Sequence, residues 1–227
     1  MRHFHIFLFL IGMLSISGAN AGVIIGGSRL IYEGNKKEKA IGIENPDTSP
    51  YLIQSWVEDE QGNTIKDTPP FIVTPPLFRM DGGQKNLLRI IRGARALPQD
   101  KESLYWLNIK SIPSSSEENR NTLQIAVRSR LKLIYRPDAL SGETAEKHTD
   151  ELVWKTEGTT LTVTNPSDYY MNFMFIKINN NSITEGGLVA PRSSATFKLP
   201  ASNVAGSISW KLINDYGGIG ELHHASL

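Results

Sequence analysis

The chain has 227 residues, enough for one large domain or two of about 100 residues each. Its 24 basic and 23 acidic residues nearly cancel, so it lacks the basic excess expected of a nucleic-acid-binding protein. It contains no cysteine, which excludes thiol redox chemistry, thiolate metal sites and a disulfide framework.

Residues 1–21 have the form of a cleavable signal peptide. Arg2 supplies the positive end, residues 4–14 are almost wholly apolar, and Ala19-Asn20-Ala21 has the small-x-small pattern of a cleavage site. The apolar run is too short for a span of about 20 residues, and no later segment is apolar enough to insert in a membrane. Cleavage after Ala21 removes Arg2 and no acidic residue, so the exported protein is formally neutral.

The remainder is built of short alternating segments rich in Val, Ile, Leu and aromatics, separated by turn residues. That pattern predicts an all-β protein of sandwich type. The expected strands of the first half are residues 23–32, 38–44, 51–58, 71–73, 86–92, 104–111 and 122–136. Asn45-Pro46-Asp47, Gln61-Gly62-Asn63 and Asp81-Gly82-Gly83 punctuate them as turns. Glu58-Asp59-Glu60, beside one of these turns, reads as a solvated hairpin tip.

Arg136-Pro137 stops the longest strand, and residues 138–150 run polar, as a linker does. Shorter strands follow at 152–155, 159–164, 170–179, 188–189, 195–199, 206–213 and 219–227. The expected division is a signal peptide over 1–21, one sandwich over 22–140 and a second over 141–227, with no visible sequence repeat between them.

Catalytic signatures are missing: no Gly-x-Ser-x-Gly elbow, no His-Glu-x-x-His and no phosphate loop occurs. Outside the leader the histidines are His148, in the linker, and the pair His223-His224. Adjacent residues on a strand face opposite ways, so that pair does not chelate, and all three read as solvated or edge histidines. Asn180-Asn181-Ser182 fits a glycosylation sequon, a match frequent by chance. Neither an enzyme nor a cofactor is expected.

Three features remain. The alternation over residues 123–135 is long against a usual strand of about 5–6 residues. It places Leu123, Ile125 and Val127 on one face and Arg128, Arg130 and Lys132 on the other. The apolar row either packs on its own core or belongs to an edge that lends side chains to another protein. Arg29 and Lys132 would together suit a carboxylate ligand if they meet, and otherwise are surface charges. Glu102, Arg136 and Asp215 each sit among apolar or aromatic residues, where a buried charge would need a partner.

Several motifs, in order, resemble the periplasmic pilus-assembly chaperones that work with outer-membrane ushers. They are Ser28-Arg29-Leu30-Ile31-Tyr32-Glu33-Gly34, Pro50-Tyr51-Leu52-Ile53-Gln54-Ser55-Trp56-Val57 and Phe71-Ile72-Val73-Thr74-Pro75-Pro76-Leu77-Phe78-Arg79. Leu97-Pro98-Gln99-Asp100-Lys101-Glu102-Ser103-Leu104-Tyr105-Trp106-Leu107-Asn108, Ile112-Pro113, Leu131-Lys132-Leu133-Ile134-Tyr135-Arg136-Pro137 and Ile213-Asn214-Asp215-Tyr216-Gly217 complete the set. Lys101 and Ser114 depart from it, where Arg and a second Pro are usual.

The resemblance implies two immunoglobulin-like sandwiches in a boomerang with a cleft, located in the periplasm. It implies that Arg29 and Lys132 anchor the terminal carboxylate of a pilus subunit. Leu123, Ile125 and Val127 would be donor residues that fill the subunit's open groove, and Glu102, Arg136 and Asp215 an interdomain salt-bridge network. The implied partners are pilus subunits and the usher, and self-capping by a second copy is left open for the free protein. The short connection 114–121, with no cysteine pair nearby, points to the short-loop branch that builds rod-like pili. A structural pilin or adhesin module and a β-scaffold hydrolase are the rival classes. Two domains without cysteine argue against the first, and the absence of a nucleophile, base or metal cluster against the second.

Overall fold

The computed structural model describes residues 22–114, 123–201 and 205–227; the expected signal peptide and the connection 115–122 lie outside them. Among the described residues the first domain holds β1 (Ile24–Ile25), β2 (Arg29–Glu33), β3 (Glu38–Glu44), β4 (Tyr51–Glu58), β5 (Phe71–Thr74), β6 (Leu77–Met80), β7 (Lys85–Arg92), β8 (Ser103–Pro113) and β9 (Val127–Arg136). One sheet has the order β1-β3-β7-β5 and the other β2-β9-β8-β4-β6. Tyr32, Ile53, Leu88, Ile90, Leu107 and Leu133 fill the space between them with almost no exposure. Period-2 alternation explains this: in β7, Leu88 and Ile90 point inward while Leu87, Arg89 and Ile91 point out.

The chain changes sheets at two places that the expected strands miss: one expected strand proves to be a pair, and beyond the expected 71–73 a further strand, β6, follows. The expected first strand, 23–32, breaks at Gly26-Gly27: β1 pairs antiparallel with β3, whereas β2 pairs parallel with β9 in the opposite sheet. A side chain at Gly26 would stand 3.2 Å from the carbonyl oxygen of Gly42, so the crossing passes tightly against β3. The second change of sheet is at Pro75-Pro76, which separates β5, paired with β7, from β6, paired with β4. Strand β9 is shorter than its alternating sequence suggests. Its ladder with β8 begins at Val127, and residues 123–126 carry no strand assignment.

The second domain comprises β10 (Val153–Glu157), β11 (Thr160–Asn165), β12 (Met171–Ile178), β13 (Asn181–Thr184), β14 (Gly187–Val189), β15 (Ser193–Lys198), β16 (Ser207–Leu212) and β17 (His223–Ser226). Its sheets are β10-β11-β15 and β13-β12-β16-β17, with β14 also paired to β12. Leu161, Val163, Phe173, Ile176 and Trp210 form the core, with the rings of Trp154 and Trp210 4.9 Å apart. Strand β13 is absent from the sequence reading. Asn179 and Asn180 both take positive φ (50° and 66°), turning the chain back into a hairpin where the expected strand ran on to 179.

No overall repeat relates the two domains, but one corner recurs. Asn45 and Asn165 are both fully buried, each followed by Pro, each at the crossing between the sheets. Asn45 Nδ2 donates to the carbonyls of Ser49, Met80 and Asp81, and its Oδ1 accepts from the Asp47 amide. Asn165 Nδ2 donates to the carbonyls of Tyr169 and Ala190, and its Oδ1 accepts from the Ser167 amide and hydroxyl. Each side chain thereby satisfies main-chain groups that the turn removes from water.

The linker is not plain coil: it contains two 3-10 turns, Asp138–Leu140 and Ala145–Glu151. His148 of the linker is engaged, contrary to the solvated reading; His223 sits on the edge strand β17, as the edge reading has it, and is engaged as well. His148 lies between Glu143 (2.9 Å) and Glu151 (2.8 Å) and stacks on Tyr169. His223 lies between Glu146 (3.1 Å) and Asp150 (2.8 Å) and stacks on Trp210. Burial lowers both pKa values, but hydrogen bonds and charge from the flanking carboxylates outweigh it, so both are raised above the ordinary 6.5.

Replacing Asn165 by Ala strands three main-chain groups and should cost roughly 3 kcal/mol, read by chemical denaturation through the fluorescence of Trp154 and Trp210. The histidines set a pH dependence. A raised folded-state pKa stabilises fully below the ordinary 6.5 and is lost as pH rises through the elevated folded values. Stability should therefore fall as pH rises above about 6.5, and a His148→Gln/His223→Gln variant should flatten that slope in thermal melts.

Candidate binding edge and cleft

Strand β9 pairs with β8 along nearly its whole length, from Val127↔Ser111 to Tyr135↔Ser103. On its other side β2 covers only Lys132 to Arg136, since β2 begins at Arg29. Among the described residues, the stretch from Val127 to Leu131 is thus an open sheet edge, with main-chain groups available to another strand.

The apolar row leading into this edge crosses from solvent to core. Leu131, Leu133 and Tyr135 are buried. Leu123, Ile125 and Val127, at alternate positions before them, are 87%, 66% and 51% exposed. The reading in which these three pack on their own domain's core is therefore wrong. The core ends near Leu131, and the row continues past it.

At the end of the open edge the parallel register sets Arg29 opposite Lys132. Burial lowers the Lys132 ammonium pKa, and the positive charge of Arg29 lowers it further. Burial lowers the Arg29 guanidinium as well, with Asp215 opposing. Arg29 Nη1 donates to the carbonyl of Ile213 (3.0 Å), but its buried Nε has no partner among the described residues. Two half-buried cations side by side, the lysine depressed by the guanidinium, form a site that an incoming carboxylate would complete.

Next to this site the two domains are tied by a buried guanidinium. Arg136 Nε donates to Glu102 Oε1 (2.7 Å), and its Nη1 and Nη2 bond the two oxygens of Asp215 at 2.7 and 3.0 Å. Nη1 also donates to the carbonyl of Glu143, and Glu102 Oε2 accepts from the Tyr170 amide (2.7 Å). Burial raises the Glu102 carboxyl pKa while Arg136 opposes; for Arg136, burial is outweighed by its two carboxylates. Glu102 and Arg136 belong to the first domain, Asp215 and Tyr170 to the second. Around them Ile31, Leu104 and Ile134 pack on Tyr170, and Arg192 bridges Asp100 (2.7 Å) and Asp168 (2.6 Å).

The sequence reading missed one cluster. Glu58 is not a solvated hairpin tip but a buried residue at the end of β4, within 2.6 Å of Arg128 and 3.6 Å of Arg130. Strand parity was the available signal: Trp56 and Glu58 share the face opposite Ile53 and Ser55, and so meet Arg128 and Arg130 across the sheet.

Residues 22–141 match the family described as pili and flagellar-assembly chaperone, PapD N-terminal domain, and residues 147–224 match the pili assembly chaperone PapD C-terminal domain. The chaperone protein FimC of Escherichia coli K12 is 42% identical over 219 residues, covering 93% of this chain and 87% of FimC. The chaperone protein LpfB of Salmonella typhimurium is 39% identical over 219 residues, covering 95% and 92%. Among solved structures, the complex of Salmonella enterica SafA pilin with the SafB chaperone contains a chain with TM-score 0.83 and 32% identity, covering 93% of this chain and 99% of that one. The E. coli chaperone DraB superposes with TM-score 0.79 at 34% identity, covering 91% and 96%. The two sandwiches, the cleft between them and the matches across both domains lead to one conclusion: the chain belongs to the pilus-assembly chaperone family.

Proposed function

We propose that this chain is a periplasmic chaperone that captures pilus subunits by lending them a strand, and that it acts by binding, not catalysis. The observation that carries the reading is the open edge of β9, entered by three exposed aliphatic side chains and ended by Arg29 and Lys132, two cations in no salt bridge among the described residues. An incoming strand adds its main chain to Val127–Leu131, and its terminal carboxylate settles on Arg29 and Lys132. Because that carboxylate lies at the Lys132 end, the added strand runs parallel to β9, as β2 does beyond it.

Leu123, Ile125 and Val127 then enter the groove of the incomplete subunit. Burying each could contribute about 1.5–3 kcal/mol before ordering costs, which reduce the sum substantially. The ionic anchor fixes register: a slip of one residue would present Gln124 and Ala126 instead. Glu102, Arg136 and Asp215 hold the domains at a fixed angle around the cleft, a role of orientation more than net stability. The loaded chaperone passes its subunit to the outer-membrane usher. With no subunit bound, the same edge suits a second copy of the chain. The short 114–121 connection supports the reading that the pili it serves are rod-like.

Lys132→Ala should leave thermal unfolding nearly unchanged and abolish co-purification of a pilin from periplasm; normal co-purification would remove the anchor from the mechanism. Ile125→Asp should do the same, since its 66% exposed side chain supports no core of its own. Asp215→Asn removes one carboxylate from Arg136 and should weaken the joint by about 3 kcal/mol or less, widening the interdomain angle distribution in small-angle scattering.

A further inference from the structure

Long charged side chains on an edge strand normally obstruct the addition of another strand. The open part of β9 carries two, Arg128 and Arg130, and both turn away from the edge. The register forms rows across three strands: Arg130 opposite Asn108 opposite Trp56, and Lys132 opposite Trp106 opposite Glu58. Arg128 Nη2 donates to both Glu58 oxygens at 2.6 and 2.8 Å, while its Nε and Nη2 reach Asn108 Oδ1 at 2.9 and 2.7 Å. Its guanidinium lies 5.1 Å from the Trp56 ring centre. Arg130 lies 4.1 Å over Trp106, with Nε 3.6 Å from Glu58 Oε2. Glu58 also accepts from Trp56 Nε1 at 3.0 Å, and its side chain is only 7% exposed. It stands two strands in from the edge, on β4, with β8 between.

We propose that Glu58 is a positioning residue for subunit capture: it draws Arg128 and Arg130 inward over Trp56 and Trp106, keeping the Val127–Leu131 edge clear and leaving Arg29 and Lys132 as the anchor for the incoming carboxylate. The inference rests on the capture reading above. A buried carboxylate holds its cations strongly, and the tryptophan faces fix the plane of each guanidinium. Without Glu58 both arginines regain rotamer freedom at the edge. They also become decoys. Arg130 lies two residues from Lys132 on the same face, so a carboxylate caught there shifts the added strand by two positions without reversing its faces.

The test uses the full mature chain and, as probe, a peptide copying the last strand of the pilin that co-purifies with it, ending in a free carboxylate. Glu58→Gln should slow association by about tenfold or more. Glu58→Gln/Arg128→Ala/Arg130→Ala should restore it to within about twofold, which a purely structural role would not do, because the triple variant removes still more contacts. Unaltered association in Glu58→Gln, or a triple variant as slow as the single one, overturns the proposal. If Glu58→Gln folds poorly, the triple variant decides alone: normal association supports the proposal and lost association overturns it. Lys132→Ala serves as control. If it binds normally, the capture reading fails and takes this inference with it; if it loses binding while Glu58→Gln does not, only the inference fails.

Discussion

Strand β9 is longer than one of its neighbours, and the rest of the molecule is arranged around that mismatch. A strand in a sandwich normally finds hydrogen-bond partners on both sides or lies at a protected edge. Here β8 runs nearly the full length of β9, whereas β2 begins only at Arg29 because the chain crosses to the other sheet at Gly26-Gly27. The crossing therefore does two things. It supplies β1 to close one sheet, and it vacates the space beside Val127–Leu131 in the other.

Charge is distributed to suit that vacancy. The chain is nearly neutral overall, yet its cations on β9 differ sharply in their surroundings. Arg136 is saturated by Glu102 and Asp215, and Arg128 and Arg130 share Glu58. Among the described residues, Lys132, between these two groups, has only the like charge of Arg29 beside it. An ion pair costs desolvation of both partners, so a half-buried cation without one is kept for an external anion or is a defect. The exposed aliphatic row that leads up to it favours the former.

Much of this was legible in the sequence, and the failures have physical causes. Strands β3 and β4 were delimited correctly because each alternates cleanly between Gly, Pro or charged turns. The alternation of 123–135 was also visible. Periodicity tells which residues share a face, however, not where the core beneath that face ends, so Leu131 and Ile125 look equivalent in sequence and differ in burial. The sheet changes at Gly26-Gly27 and Pro75-Pro76 were invisible because crossing between sheets leaves the local pattern extended. Glu58 was misjudged because neighbouring acids in sequence suggested a turn, while its partners lie about 70 residues away across the sheet. Arg29 and Lys132 could be paired only through resemblance to a known family, since pattern alone does not fix a parallel register between segments so far apart.

The spacing along β9 has an evolutionary corollary. Lys132, Ile134 and Arg136 occupy alternate positions, so the half-buried ammonium, the domain contact and the tie to Asp215 all face the cleft, while Leu131, Leu133 and Tyr135 face the core. A substitution at any one of them disturbs one function. Insertion or deletion of a single residue between 131 and 136 would reverse the faces on one side of the lesion, burying a cation and exposing the core at once. This segment should accordingly tolerate drift in composition but almost none in length, and length variation among descendants should be confined to the turns that flank the strand.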